Sequence, residues 1–135
     1  MSEEKLVGIV LVSHSAEVAE SVARLAQGLA GGAAVPVAPA GGRENGRLGT
    51  SAELVVAAAA SVDRGAGVAV LTDLGSAVLT VKALLAECDE LPGNTRLVDA
   101  PFVEGAVAAV VTAATGADLD EVEAAAMEAY GYRKV

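Results

Sequence analysis

Residues 6–13, LVGIVLVS, form a nearly unbroken apolar run, the pattern of a strand covered on both faces. From Ala16 the period changes: Val18, Val22, Leu25, Ala26 and Leu29 recur at helical spacing, and Gly28 with Gly31 and Gly32 supplies the stop. Residues 35–38 read as a weaker strand, and Pro36, which cannot donate to a ladder, assigns it to an edge or a strand start. The stretch 39–49, PAGGRENGRLG, is turn-rich and predicts a loop. Thr50 or Ser51 then caps a helix with Glu53 in its first turn, filled by residues 54–62 and ended by Gly65 and Gly67. Residues 68–71 repeat the apolar strand. After Thr72, Asp73, Leu74, Gly75 and Ser76, helical spacing resumes at Val78, Val81, Leu84, Leu85 and Cys88. A turn at Pro92 and Gly93, a short strand over 95–98 and a helix opened by Pro101 follow, with Val103, Ala106, Val107, Val110 and Val111 on one stripe. Gly116 breaks that helix, and Asp118 caps an acidic one over 119–129 whose charged face is expected to meet water.

Strands alternating with helices predict an α/β fold, a three-layer sandwich with a mainly parallel central sheet and helices on both faces, in one domain over residues 1–135. In such sheets ligands sit beyond the carboxyl ends of the strands. Three segments fall there: Ser13, His14 and Ser15; Thr72, Asp73 and Gly75; and Pro101 with Phe102.

Composition narrows the partners. The hydrophobic fraction of 53% is mostly alanine and valine with only 2% aromatics, so the core is built from small and β-branched side chains. Nine Lys and Arg against eighteen Asp and Glu give a formal net charge of -9, which repels nucleic acid and an anionic membrane surface alike. No apolar run approaches the roughly 18–20 residues that span a bilayer. Met1 to Lys5 carry two glutamates and no basic region of a signal peptide, so a cytoplasmic protein is expected. The single cysteine, Cys88, sits at an apolar helical position and allows no internal disulfide, and the single histidine, His14, leaves no ligand set for a structural zinc, so no metal site is expected.

His14 precedes a helix start, where amide groups and the macrodipole stabilise an anion such as a phosphoryl group carried on the imidazole. Asp73 could accept the proton of one ring nitrogen and leave the other free as a nucleophile. Spacing leaves two plainer roles open, a capping or surface histidine and an aspartate that caps the following helix. Arg43 and Arg47 in the glycine loop could neutralise phosphate or simply be solvated. Neither a P-loop nor the Gly-x-Gly-x-x-Gly of dinucleotide binders is present.

The runs VGIVLVSHSAEVAESV, GGRENGRLGTS, VAVLTDLGSAVLTVK and LVDAPFVEGAVAAVV, in this order over residues 6–115, together resemble the phosphotransfer subunit of phosphoenolpyruvate-dependent dihydroxyacetone kinase, in the mannose-type enzyme IIA group. The resemblance implies a phosphotransferase subunit with a phosphohistidine intermediate: His14 accepts a phosphoryl group from the histidine phosphocarrier protein of the phosphotransferase system. The group then passes to ADP on the nucleotide-binding subunit of the kinase. It implies that Asp73 orients His14 and leaves Nε2 to be phosphorylated. Ser13, Ser15, Arg47, Thr50, Ser51 and Thr72 are the candidates for phosphate contact. No cofactor is expected on this chain itself, ADP or ATP with Mg belonging to the partner kinase subunit. Some relatives carry further phosphocarrier domains for which residues 1–135 have no room, so separate donors are expected. A homodimer packed through helices rich in small residues is expected too, without a long exchanged C-terminal strand.

Three other readings compete. A mannose-type sugar-transport enzyme IIA would use the same histidine. So would a regulatory module in which phosphorylation signals. A tetrapyrrole metal chelatase also places a histidine after its first strand, but needs further ligands and a large apolar cavity.

Overall fold

The computed structural model describes residues 5–31, 34–87 and 89–135. The readings of the first residues as free of a signal peptide, of Gly32 as part of a helix stop and of Cys88 as a core position fall on 1–4, 32 and 88, outside the described residues.

Among the described residues, four strands alternate with helices: β1 (Gly8–Ser13), α1 (Ala16–Leu29), β2 (Val37–Gly41), α2 (Ala52–Val62), β3 (Val68–Thr72), α3 (Gly75–Glu87), β4 (Thr95–Leu97), α4 (Phe102–Ala114) and α5 (Leu119–Glu128), closed by a 3-10 turn at Ala129–Gly131. The sheet is parallel throughout, in the order β2-β1-β3-β4. Every residue of β1 and β3 is buried, as their continuous apolar runs require. One face of the sheet packs Ile9, Leu11, Ala69 and Leu71 against α1, α4 and α5. The other packs Val10, Val12, Val68 and Val70 against α2 and α3. The three layers predicted from the sequence are therefore present, with small side chains at both seams.

Helix starts follow local chemistry. Ser15 caps α1 through the Val18 amide, Ser51 caps α2 through the Leu54 amide, and Asp118 with Glu121 forms a reciprocal capping box on α5. Of the two candidate caps of α2, the structure selects Ser51.

Three expectations need correction. The second strand runs over Val37–Gly41 rather than 35–38, and takes Pro39, Ala40 and Gly41 from the predicted loop. The ladder explains how it tolerates Pro39. Pro36 accepts from Ile9 and Gly42 donates to Ser13, so bonding to β1 passes through even-numbered residues. The missing N–H of Pro39 therefore falls on the outer side of an edge strand, where no neighbour asks for it. The last helix ends at Glu128, one residue short of the expected limit, where its last turn tightens to 3-10 geometry. Its acidic face is also not simply solvated: Arg96 from β4 reaches Asp120 at 2.5 Å and Glu123 at 2.9 Å.

Candidate functional site

From β1 the chain moves outward to β2, and from β3 to β4 on the other side, so β1 and β3 flank the point where connections diverge to opposite faces. Their carboxyl ends form the crevice such sheets use for ligands. His14 leaves the end of β1 and Asp73 leaves the end of β3, and the amide of Asp73 still donates to the Val12 carbonyl at 3.1 Å.

The two side chains meet. His14 Nδ1 lies 2.9 Å from Asp73 Oδ1, and the His14 amide donates to Oδ2 at 3.0 Å. The Ser13 hydroxyl also donates to Oδ2, at 2.9 Å, while accepting from the Ser15 amide at 3.1 Å. Oδ1 takes a further bond from the Leu74 amide at 2.7 Å. Burial would push the Asp73 carboxyl upward, but the bonds from His14, Ser13 and Leu74 outweigh it and hold the group below the ordinary aspartate range. A carboxylate only accepts, so Nδ1 carries the ring proton and Nε2 the lone pair. Nε2 points away from Asp73 toward Ser76, whose hydroxyl is its donor. The imidazole side chain keeps 23% of its surface open to solvent. The arrangement presents a nucleophilic nitrogen at a surface, with a part-buried anion behind the ring to support positive charge.

The competing role of Asp73 as a helix cap is set aside by this geometry. In the first turn of α3 the amides of Ala77 and Val78 go to the Leu74 carbonyl rather than to the Asp73 side chain, and the carboxylate serves the histidine.

The other candidates divide. Ser13 touches Asp73 directly and is buried; Ser15, beside His14, caps α1; Thr72 is buried at the end of β3. Ser51 is spent on its helix cap and on a contact to Glu53 at 3.3 Å. Arg43 and Arg47 are exposed on the glycine loop, which closes through a bond from the Arg43 amide to the Arg47 carbonyl. Thr50 meets Thr80 of α3 at 3.0 Å. Pro101 and Phe102 lead into α4, and among the described residues no hydrogen bond joins them to His14.

Two participants escaped the sequence reading. Ser76 stands against the reactive nitrogen, and the signal was available: with Thr80 it forms an i, i+4 pair of hydroxyls on one face of a mostly apolar helix. Gly41 is the other. A side-chain carbon there would lie 2.5 Å from the Ser15 carbonyl and 2.6 Å from Ala16 Cα, so only glycine lets the loop pass over the start of α1. Gly42 follows with φ 71°, and Gly49 donates to the His14 carbonyl at 3.0 Å.

A cleft of about 400 Å³ adjoins Asp73, bounded by Lys82, Leu97, Asp99 and Tyr130. Among the described residues no group of three His, Cys, Asp or Glu is placed to hold a metal ion. No helix is long and apolar enough to cross a membrane, again among the described residues.

The EIIA-man family model, described as the PTS system fructose IIA component, matches residues 8–123 and so takes in His14, Asp73 and Ser76. The chain belongs to this family. Among the EIIA-man relatives, the PEP-dependent dihydroxyacetone kinase phosphoryl donor subunit DhaM of Escherichia coli K12 is 39% identical over 92% of this chain. This chain spans only 27% of that protein's length, and 28% of its Klebsiella michiganensis counterpart, which is 36% identical. A shorter relative, the phosphoryl donor subunit of PEP-dependent dihydroxyacetone kinase 2 of Listeria innocua, is 36% identical over 78% of this chain and 85% of its own length. A crystal structure of a protein of unknown function superposes with a TM-score of 0.77 at 28% identity, covering 90% of this chain and 93% of that one. A sigma-54 interaction domain protein from Enterococcus faecalis shares the fold, with a TM-score of 0.69 at 18% identity over 96% of this chain and 93% of that one.

Proposed function

We propose that this chain is a phosphohistidine carrier, a phosphotransferase subunit that takes a phosphoryl group from the histidine phosphocarrier protein and delivers it to ADP on the nucleotide-binding subunit of dihydroxyacetone kinase. The observation that carries the reading is the His14–Asp73 pair, 2.9 Å apart, with Nε2 turned outward. The relatives that are dihydroxyacetone kinase subunits give the reading its substrate class.

In the first step the Nε2 lone pair forms a bond to phosphorus as the donor's N–P bond breaks in line, and the electron pair returns to the donor imidazole. Positive charge growing on the His14 ring is met through Nδ1–H by the Asp73 carboxylate. In the second step an oxygen of the β-phosphate of ADP attacks, the His14–phosphorus bond breaks, and ATP and neutral imidazole result. Ser15 and the Arg47 loop are the contacts offered to the phosphate, the buried Ser13 hydroxyl being committed to Asp73. ADP, ATP and Mg belong to the partner subunit in this reading, and the carrier works in the cytoplasm. Both steps need a protein to approach His14, and exposed Leu48, Leu74 and Leu79, on the loop and helix that border the site, offer apolar surface for it. A second copy of the chain packs on the outer face of α4, where Val103, Val107, Val111 and Tyr132 line an open groove of about 380 Å³.

The test is incubation with phosphoenolpyruvate, enzyme I and the histidine phosphocarrier protein, with acid-labile phosphate followed by intact mass. Label on the wild type and none on His14→Ala is expected, followed by discharge to ADP only when the nucleotide-binding subunit is added. Discharge to a sugar-transport component instead would make this a transport enzyme IIA. An unlabelled wild type would overturn the carrier and bring the chelatase forward.

A further inference from the structure

Thr80 lies one turn beyond Ser76 on α3, and its hydroxyl donates to the Ser76 carbonyl at 3.1 Å. The same oxygen is 3.0 Å from the Thr50 hydroxyl, a contact between residues thirty apart in sequence. A hydroxyl has one hydrogen, and that of Thr80 is committed to a carbonyl, which can only accept. Thr50 is therefore the donor to Thr80. Gly49, the neighbour of Thr50, donates to the His14 carbonyl at 3.0 Å, and the Ser76 hydroxyl returns to His14 Nε2. These bonds close a circuit that leaves His14 through its backbone, crosses the glycine loop to α3, and comes back to its ring.

We infer that Thr80, held by Thr50, is a positioning residue for phosphoryl transfer: it fixes the turn of α3 that aims the Ser76 hydroxyl at His14 Nε2, without touching the phosphoryl group. The inference rests on the carrier reading for its effect on rate, but not for its effect on the imidazole. Both threonine hydroxyls are part-buried, where a lost partner is not cheaply replaced by water. A valine at position 80 keeps the size and branching of the side chain while removing both the bond to Ser76 and the acceptor for Thr50. The backbone of α3 could then relax toward ordinary helix geometry, since a hydroxyl bonded to the carbonyl one turn back bends a helix.

The experiment has two arms on the full chain. In the first, Thr80→Val, Thr80→Ser and Thr50→Val are compared with wild type for acceptance of phosphoryl groups from the phosphorylated histidine phosphocarrier protein. We expect kcat of Thr80→Val to fall roughly five- to tenfold with KM unchanged, and Thr80→Ser to restore it. Thr50→Val should show the same loss, and the double variant should be no slower than the slower single one. In the second arm the ring nitrogens of the unphosphorylated protein are read by nitrogen-15 NMR, where His14, the one histidine, gives the only imidazole signals. Thr80→Val should move the Nε2 resonance and leave Nδ1 in place. A wild type that accepts no phosphoryl group refutes the carrier, and the NMR arm then decides the circuit alone. The circuit itself is refuted by an unmoved Nε2 signal, by losses that multiply in the double variant, or by failure of serine to rescue. A loss in Thr50→Val with Thr80→Val unaffected also refutes it, since Thr50 would then act directly on phosphate.

Discussion

Asp73 receives four hydrogen bonds from three neighbours, and its charge state follows from them. Because its carboxyl is held below the ordinary range in the folded chain, its contribution to stability is complete above the unfolded pKa and is lost as pH falls through the folded one. Asp73→Asn should therefore cost about 1–2 kcal/mol at neutral pH, and the gap in Tm from wild type should close below about pH 4. Thermal melts at the two pH values check this, and equal gaps would show that the carboxylate charge is not what the bonds stabilise. The same variant should accept phosphoryl groups roughly a hundredfold more slowly, because the ring loses the anion behind it; stopped-flow labelling against wild type measures that. At this scale the sequence disclosed much of the site. A lone histidine between a buried strand and a helix cap narrows the search to one residue, and Asp73 ends the other buried strand. Ser76 was harder to see, because the direction in which the first turn of α3 faces depends on how the helix lies on the sheet, and periodicity does not record that.

Among the elements, those with the cleanest patterns were the most legible. The continuous runs in β1 and β3 and the helical stripe of α1 mark the same segments in sequence and structure, since burial on both faces or on one leaves a distinct period. β2 was misjudged at both ends: its start was set too early, across Pro36, and its end too early because Pro39 is a poor strand residue by propensity. Only the one-sided pairing of an edge strand makes Pro39 acceptable, and sidedness is a tertiary property. Glycines make the same point with opposite signs. Gly41→Ala should destabilise by about 2–3 kcal/mol, since its new carbon meets backbone rather than a side chain that can yield. Gly28→Ala, inside α1 with nothing within 4 Å, should stabilise by about 0.5–1 kcal/mol. Paired denaturant titrations decide both, and matching signs would mean the contact at Gly41 relaxes at no cost.

For the whole molecule, a net charge of -9 bears on encounter rather than on fold. If the donor and acceptor dock through basic surfaces, kcat/KM for phosphoryl transfer should fall steadily as salt is raised across the range where the Debye length shrinks below about 10 Å. A flat salt profile would leave the apolar surface of Leu48, Leu74 and Leu79 as the chief docking element. A further consequence follows from the fact that His14 and Asp73 are 59 residues apart in sequence. The pair cannot form in a nascent or partly unravelled chain, because β3 must first slot in beside β1, with β2 and two helices already threaded between them in sequence. A chain arrested before that pairing has a histidine with nothing behind its ring. Reactivity at His14 therefore doubles as a check on completed folding, and labelling during refolding should lag behind helix formation and rise together with burial of the central strands.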